Sequence, residues 1–118
     1  TSVGYYDVFI SKLDSGGNYV WARSFGGPAL EYGFGLAVDS SGNVYTSGKF
    51  VGTVDFDPGP GTAILNGLGV SDIFISKLDN NGNYVWARSM GGNFDDYGNG
   101  LDLDDSGNVV ATGFFMRI

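Results

Sequence analysis

Residues 7–53 recur at 72–118 with a constant offset of 65 and no gap, and 28 of the 47 aligned pairs are identical. Asp7-Val-Phe-Ile-Ser-Lys-Leu-Asp14 returns as Asp72-Ile-Phe-Ile-Ser-Lys-Leu-Asp79, and Tyr19-Val-Trp-Ala-Arg-Ser24 returns letter for letter as Tyr84-Val-Trp-Ala-Arg-Ser89. A fixed period means one structural unit stacked on copies of itself, each burying the apolar face that its neighbour leaves open. The chain is therefore an array: residues 7–71 form a first repeat and 72–118 a second, truncated one.

Each period holds two hairpin signals. In the first, residues 8–13 and 19–24 are rich in β-branched and aromatic side chains and flank Asp14-Ser-Gly-Gly-Asn18, with Gly17 placed for a positive φ. Its copy is 73–78 and 84–89 around Asp79-Asn-Asn-Gly-Asn83. The second joins 35–39 to 44–48 through Ser40-Ser-Gly-Asn43, and its copy joins 100–104 to 109–113. There Leu101 and Leu103 alternate with Asp102 and Asp104, the period of a strand with one buried face. No stretch has helical periodicity, so the chain reads as all-β. Four short strands per period fit a four-stranded antiparallel sheet, the blade of a propeller. Gly26-Gly27 and Gly91-Gly92 fit the passage between blades, and residues 51–71, with Asp55-Phe-Asp-Pro-Gly-Pro-Gly61 inside, are the longest connection. Within it Thr53-Val-Asp-Phe can pair with Ala63-Ile-Leu, which lengthens the usual propeller period of about 40–50 residues.

The phase of the repeat carries a second inference. One complete blade spans roughly 32–92, and a half-blade hairpin stands on either side. About two blade-equivalents cannot close a ring, and they leave strand edges and apolar blade faces that invite another chain.

Composition excludes several function classes. Cysteine and histidine are absent, which removes disulfides, thiolate metal sites, the commonest general base and the commonest transition-metal ligand. The net charge of −7, spread over both repeats, offers no basic stripe for nucleic acid and no attraction to an anionic membrane. It reads first as a solvating surface, with calcium the one cofactor that so many acids would admit. No apolar run approaches the roughly 20 residues of a membrane span, and no leader-like segment is apparent. The 21 glycines and 18 aromatics suit short strands with tight turns and argue against disorder.

Gly35-Leu-Ala-Val-Asp-Ser-Ser-Gly-Asn-Val-Tyr-Thr-Ser-Gly48 closely resembles the bacterial β-propeller repeat family known as SBBP, as do Asp72-Ile-Phe-Ile-Ser-Lys-Leu-Asp-Asn-Asn-Gly-Asn-Tyr-Val-Trp86, Gly91-Gly92 and Asp96-Tyr97-Gly98. Val54-Asp-Phe-Asp-Pro-Gly-Pro-Gly61 looks like the long insertion of one branch of that family. The resemblance covers nearly the whole chain. It implies a propeller from a bacterial cell-surface or secreted protein and carries over no catalytic set. Members of the family usually hold enough tandem repeats to close a ring alone, and this chain departs from that.

Five groups of side chains are candidates for function. Trp21 with Arg23, and Trp86 with Arg88, share a strand face at equal phase in the two repeats. They could stack a sugar ring, but a blade-to-blade role with Arg over Trp is the favoured reading. Lys12 and Lys77 lie on the opposing strand, where pairing with repeated acids at the blade edge is expected. The four Asp-x-x-Gly-Asn turns at Asp14, Asp39, Asp79 and Asp104 lack the alternate oxygen ligands and distal Glu of a calcium loop, so their Asp and Asn are expected to bond the turn backbone. Asp55 and Asp57, two apart on a Pro-Gly loop, are the better metal candidates, against a loop that folds over the blade through Phe56. Glu31 and Asp95-Asp96 read as rim acids. Nothing singles out the carboxylate pair that glycoside cleavage needs.

These observations lead to one expectation and two alternatives. The expectation is a non-enzymatic propeller scaffold without a cofactor, completed by homo-oligomerisation head-to-tail. It would be a trimer with six blades rather than a tetramer with eight, serving as a structural or adhesive surface module. The first alternative is a carbohydrate-binding module whose glycan, or surface-protein, partner meets the strand tryptophans. The second, remote, is a carboxylate-dependent hydrolase.

Overall fold

The structure, a computed structural model, describes residues 8–25, 31–67, 72–90, 96–104, 106 and 108–115, and of 31–34, 96–100 and 111–115 the backbone alone. In chain order the strands are β1 (Val8–Leu13), β2 (Tyr19–Phe25), β3 (Glu31–Val38), β4 (Val44–Phe50), β5 (Thr53–Asp55), β6 (Ile64–Asn66), β7 (Asp72–Leu78), β8 (Tyr84–Met90), β9 (Asp96–Leu103) and β10 (Val109–Phe115). The protein is all-β, and the described residues contain no helix.

At the centre is a four-stranded antiparallel sheet in the order β3-β4-β7-β8. Its middle pair, β4 with β7, runs without a register shift from Val44 opposite Leu78 to Phe50 opposite Asp72. That pair crosses the boundary between the two repeats, so the sheet takes its first half from one repeat and its second half from the next. β4 and β7 are buried along almost their whole length, on both faces. Most of their positions carry apolar or small residues instead of the alternating pattern of a half-exposed strand, and Asp72, at the start of β7, is a buried acid.

Two-stranded hairpins supply the cover. β1–β2 lies on one face, where Val8, Ile10, Trp21 and Phe25 join Val44, Phe50, Phe74, Leu78 and Ala87 in one core cluster. β9–β10 lies on the other face, where β9 runs against β3, β4 and β7. The approach is close at Gly35: a Cβ there would sit 2.7 Å from Ser47 Oγ and 3.1 Å from Leu101 Cβ. The described residues form several small antiparallel sheets and no closed ring or barrel.

The long connection is built into the core. β5 pairs with β6, Val54 opposite Leu65, as the sequence predicts. Phe56 follows β5 and is fully buried. Its ring centroid lies 4.8 Å from Phe74, 5.3 Å from Phe25 and 5.4 Å from Phe50. Four phenylalanines from β2, β4, β7 and the insertion thus meet in tilted and edge-on contacts, the geometry aromatic quadrupoles favour.

The hairpin turns are as read. Gly17, Gly42 and Gly82 have φ of 83°, 84° and 81°. Strand lengths need a correction. β3 begins at Glu31 and β9 at Asp96, four residues before the expected starts at Gly35 and Gly100. β3 runs through this glycine-rich stretch with a register shift between Gly33 and Gly35. A bulge at glycine keeps the strand going while bending it. The expected turns at Gly26-Gly27 and Gly91-Gly92, and the acid Asp95, lie outside the described residues, as do the side chains of Glu31 and Asp96.

Candidate functional site

The tryptophan–arginine strands make contacts that the sequence only half anticipates. On β2, Trp21 and Arg23 are two apart and therefore on one face. The Arg23 guanidinium carbon lies 5.5 Å from the Trp21 ring centroid. Trp21 is buried, and its Nε1–H donates to the carbonyl of Asn80 at 2.9 Å. Arg23 Nε donates to the carbonyl of Gly82 at 3.1 Å, and Nη2 to that of Asn81 at 3.0 Å. Together the two side chains hold the three carbonyls of the Asp79–Asn83 turn, which belongs to the central sheet. Gly82 is required twice: its φ is positive, and a Cβ on it would sit 3.0 Å from the Trp21 ring and from Arg23 Nε.

Lys12 joins this clamp. Its Nζ donates to Asn80 Oδ1 and lies within 3.4 Å of the Asn80 carbonyl. Lys77, its repeat counterpart, stands over the Tyr45 ring, 5.2 Å from the centroid. The contacts found for the two lysines are therefore with an amide and an aromatic face, where the sequence pointed to acids.

On β8 the same motif is posed the same way but has no turn to hold among the described residues. Arg88 lies 5.7 Å from the Trp86 centroid, and its Nη1 donates to Ala87 O at 2.8 Å, just as Arg23 Nη1 donates to Ala22 O at 2.9 Å. Trp86 packs edge-on against Tyr45, at 6.2 Å, and is half-buried. Met90 is 43% exposed, whereas Phe25, its counterpart, is 4% exposed.

The four Asp-x-x-Gly-Asn turns are closed by their own side chains. In each, the Asp Oδ1 accepts the backbone N–H groups two and four residues on: Gly16 and Asn18 for Asp14, Ser41 and Asn43 for Asp39, Asn81 and Asn83 for Asp79, Ser106 and Asn108 for Asp104. The Asn side-chain amide then donates to the other carboxylate oxygen. These bonds favour the ionised form and hold all four carboxyls below the ordinary 3.8. For Asp79 the positive charge of Arg23 adds to the effect.

Asp55 and Asp57 are likewise engaged with their own loop. Asp55 Oδ1 accepts the N–H of Asp57 at 3.0 Å and of Ala63 at 2.8 Å, and Asp57 Oδ1 accepts the N–H of Gly59 at 2.8 Å. No group of three or more acids arranged for a metal ion occurs among the described residues.

Two adjoining grooves, of about 350 and 220 Å³, lie between β1 and the β3 edge of the central sheet. Val8–Ser11 and Leu36 line the first. Phe9, 75% exposed, and Leu13, Leu36 and Val38 face solvent along this side. Sequence reasoning missed both the grooves and the carbonyls of Asn80, Asn81 and Gly82 as the target of the clamp. No sequence signal marks the grooves, because Phe74 and Leu78, the counterparts of Phe9 and Leu13, are fully buried although they stand in the same run of residues.

No family model matches the chain. The chain is similar to the uncharacterized WD repeat-containing protein L264 of Acanthamoeba polyphaga mimivirus, 26% identical over 110 residues that cover 81% of this chain and 8% of that protein. It is also similar to regulatory protein FlaEY of Caulobacter vibrioides, 28% identical over 110 residues, covering 93% of this chain and 12% of that protein. The chain thus spans about a tenth of the length of these curated relatives. The likeness to a WD repeat-containing protein is a weak pointer to repeat, propeller-like proteins, the class in which four-stranded blades recur.

Proposed function

We propose that the chain is a non-enzymatic propeller scaffold, a structural or adhesive module of a bacterial cell surface or secreted protein. One observation carries the reading: each face of the central sheet is covered by a two-stranded hairpin, β1–β2 from the first repeat and β9–β10 from the second, as one blade is by its neighbours. The SBBP-like motifs and the weak likeness to a WD repeat-containing protein support it. On this reading copies of the chain assemble head-to-tail into a closed ring, a trimer with six blades in preference to a tetramer with eight. The experiment is the particle mass in solution by multi-angle light scattering. A mass three or four times that of the chain is the expected result, and a well-folded monomer overturns the ring.

A second reading has one observation in its favour. Trp86 is half-buried with Arg88 over its ring, an amphipathic platform of the kind that stacks a sugar. Quenching of tryptophan emission by glycans, abolished in Trp86→Ala but kept in Trp21→Phe, would move the function to carbohydrate binding. The hydrolase reading draws no support from the described residues, and a glycosidase screen with no turnover would retire it.

A further inference from the structure

The residues of β1–β2 that hold the central sheet have counterparts 65 residues on, the groups they hold have counterparts 65 residues back, and the repeat therefore says what is missing beside β8. Trp21, Arg23 and Phe25 on β2 hold the Asp79–Asn83 turn, and Phe25 packs on Phe74 of β7, with 5.8 Å between ring centroids. Moved on by one period, the holders are Trp86, Arg88 and Met90. Moved on in the same way and written in this chain's own numbers, the held groups are the Asp14–Asn18 turn and Phe9. These two sets do not meet within the chain: Met90 and Phe9 are both exposed. Gly17 is the counterpart of Gly82. A Cβ on Gly17 would meet nothing within 4 Å, while one on Gly82 would strike Trp21 and Arg23.

Strand edges give the same answer. Among the described residues β10 pairs only with β9, and β1 only with β2. Their counterparts, β4 and β7, are paired with each other. The grooves beside β1 are lined on their β1 side by the counterparts of residues 73–78, to which β4 is bonded in the central sheet. They are an empty seat for β10 and β9 of another copy.

We infer that β10 of one copy pairs antiparallel with β1 of a second, in the register that β4 and β7 keep, and that Trp86 and Arg88 of the first hold the Asp14–Asn18 turn of the second. Val109 then lies opposite the second copy's Leu13, and Val110 opposite its Lys12, as Val44 lies opposite Leu78 and Tyr45 opposite Lys77. Phe9 of the second copy covers Met90. The contact is also complementary in charge, because Arg88 meets the Asp14 turn as Arg23 meets Asp79. This inference rests on the ring proposed above and adds its joint.

Cysteine scanning tests it directly, since the chain has no cysteine of its own. Residues directly opposite in an antiparallel pair stand about 4.5–5.5 Å apart at Cα, within disulfide reach, and point to one face. The double variant Val110→Cys with Lys12→Cys is expected to form reducible covalent multimers on mild oxidation. Val110→Cys with Ser11→Cys, one residue out of register and on the opposite face, is expected to form none. Gly17→Asn is the second variant. Asparagine tolerates the positive φ, so the chain is expected to keep its circular dichroism while losing the multimer peak. A multimeric wild-type particle that cross-links only out of register, or not at all, or only within one chain, overturns the joint and leaves the ring standing. So does a Gly17→Asn variant that assembles like wild type, or a glycan that occupies Trp86 in the assembled particle. A folded wild-type monomer overturns the ring itself.

Discussion

Trp21 Nε1–H donates to the carbonyl of Asn80 at 2.9 Å across 59 positions of sequence, pinning one hairpin to the turn of the next sheet. Trp86 occupies the equivalent place one period on and holds no such carbonyl among the described residues. Identical residues thus have unequal worth in one chain. Trp21→Phe removes a buried donor and is expected to lower stability by about 1–3 kcal/mol. Trp86→Phe in dilute, dissociated chain is expected to stay within about 0.5 kcal/mol of wild type. Urea titrations at low concentration measure both, and equal losses would refute the asymmetry.

The insertion is a core element, not an ornament of the surface. Phe56 is fully buried among Phe25, Phe50 and Phe74. Phe56→Ala is expected to cost about 3–5 kcal/mol, by lost transfer energy and the cavity left behind. A loss under about 1 kcal/mol in chemical denaturation would mean that the loop closes the space unaided.

Acid is expected to loosen the turns. Asp14 and Asp79 are held below the ordinary 3.8 first by the backbone N–H groups of Asn18 and Asn83, and Asp39 and Asp104 first by the amide side chains of Asn43 and Asn108. A carboxyl made more acidic by folding adds stability that is complete above its unfolded pKa. That stability is lost as pH falls through the lower, folded value. Melting temperature is therefore expected to be insensitive to these four groups above about pH 5 and to fall below about pH 4. Because Asp14 and Asp104 are exposed and Asp39 and Asp79 only partly covered, each contributes little alone, and Asp79→Asn should flatten only part of the decline. An unchanged melting curve down to about pH 2 would contradict this.

Asp55 spends one oxygen on two backbone N–H groups and so fixes the loop that delivers Phe56. Asp55→Ala is expected to cost about 1–3 kcal/mol by leaving those donors unmet. Added calcium is expected to leave the melting temperature of wild type unchanged, because the carboxylates are already engaged with the loop. A rise with calcium that disappears in Asp57→Asn would restore the metal reading.

Much of this architecture was legible because sequence and structure share one period. The offset of 65 marks out the hairpins, the Asp-x-x-Gly-Asn turns declare their glycines, and the Thr53 and Ala63 segments declare their pairing. What was not legible depends on neighbours distant in sequence. The sequence places the strand starts at Gly35 and Gly100, because composition alone does not distinguish a bulged strand from a loop before them. Trp21 and Arg23 read as a pair, but their real partners are main-chain carbonyls, which leave no mark in the choice of side chain. Lys77 lies on an aromatic ring where acids abound, since the cross-strand register places Tyr45 opposite it. Exposure was the least readable property: Phe9 and Phe74 each open the same run Phe-Ile-Ser-Lys-Leu-Asp, yet one is exposed and the other buried.

The pairing of β4 with β7 puts the unit that is copied out of step with the unit that folds. A cut at the sequence boundary, between residues 71 and 72, would split the central sheet down the middle, so each added copy arrives with a debt to its neighbour. The seam between the two repeats is laced by the seven backbone pairings of β4 with β7.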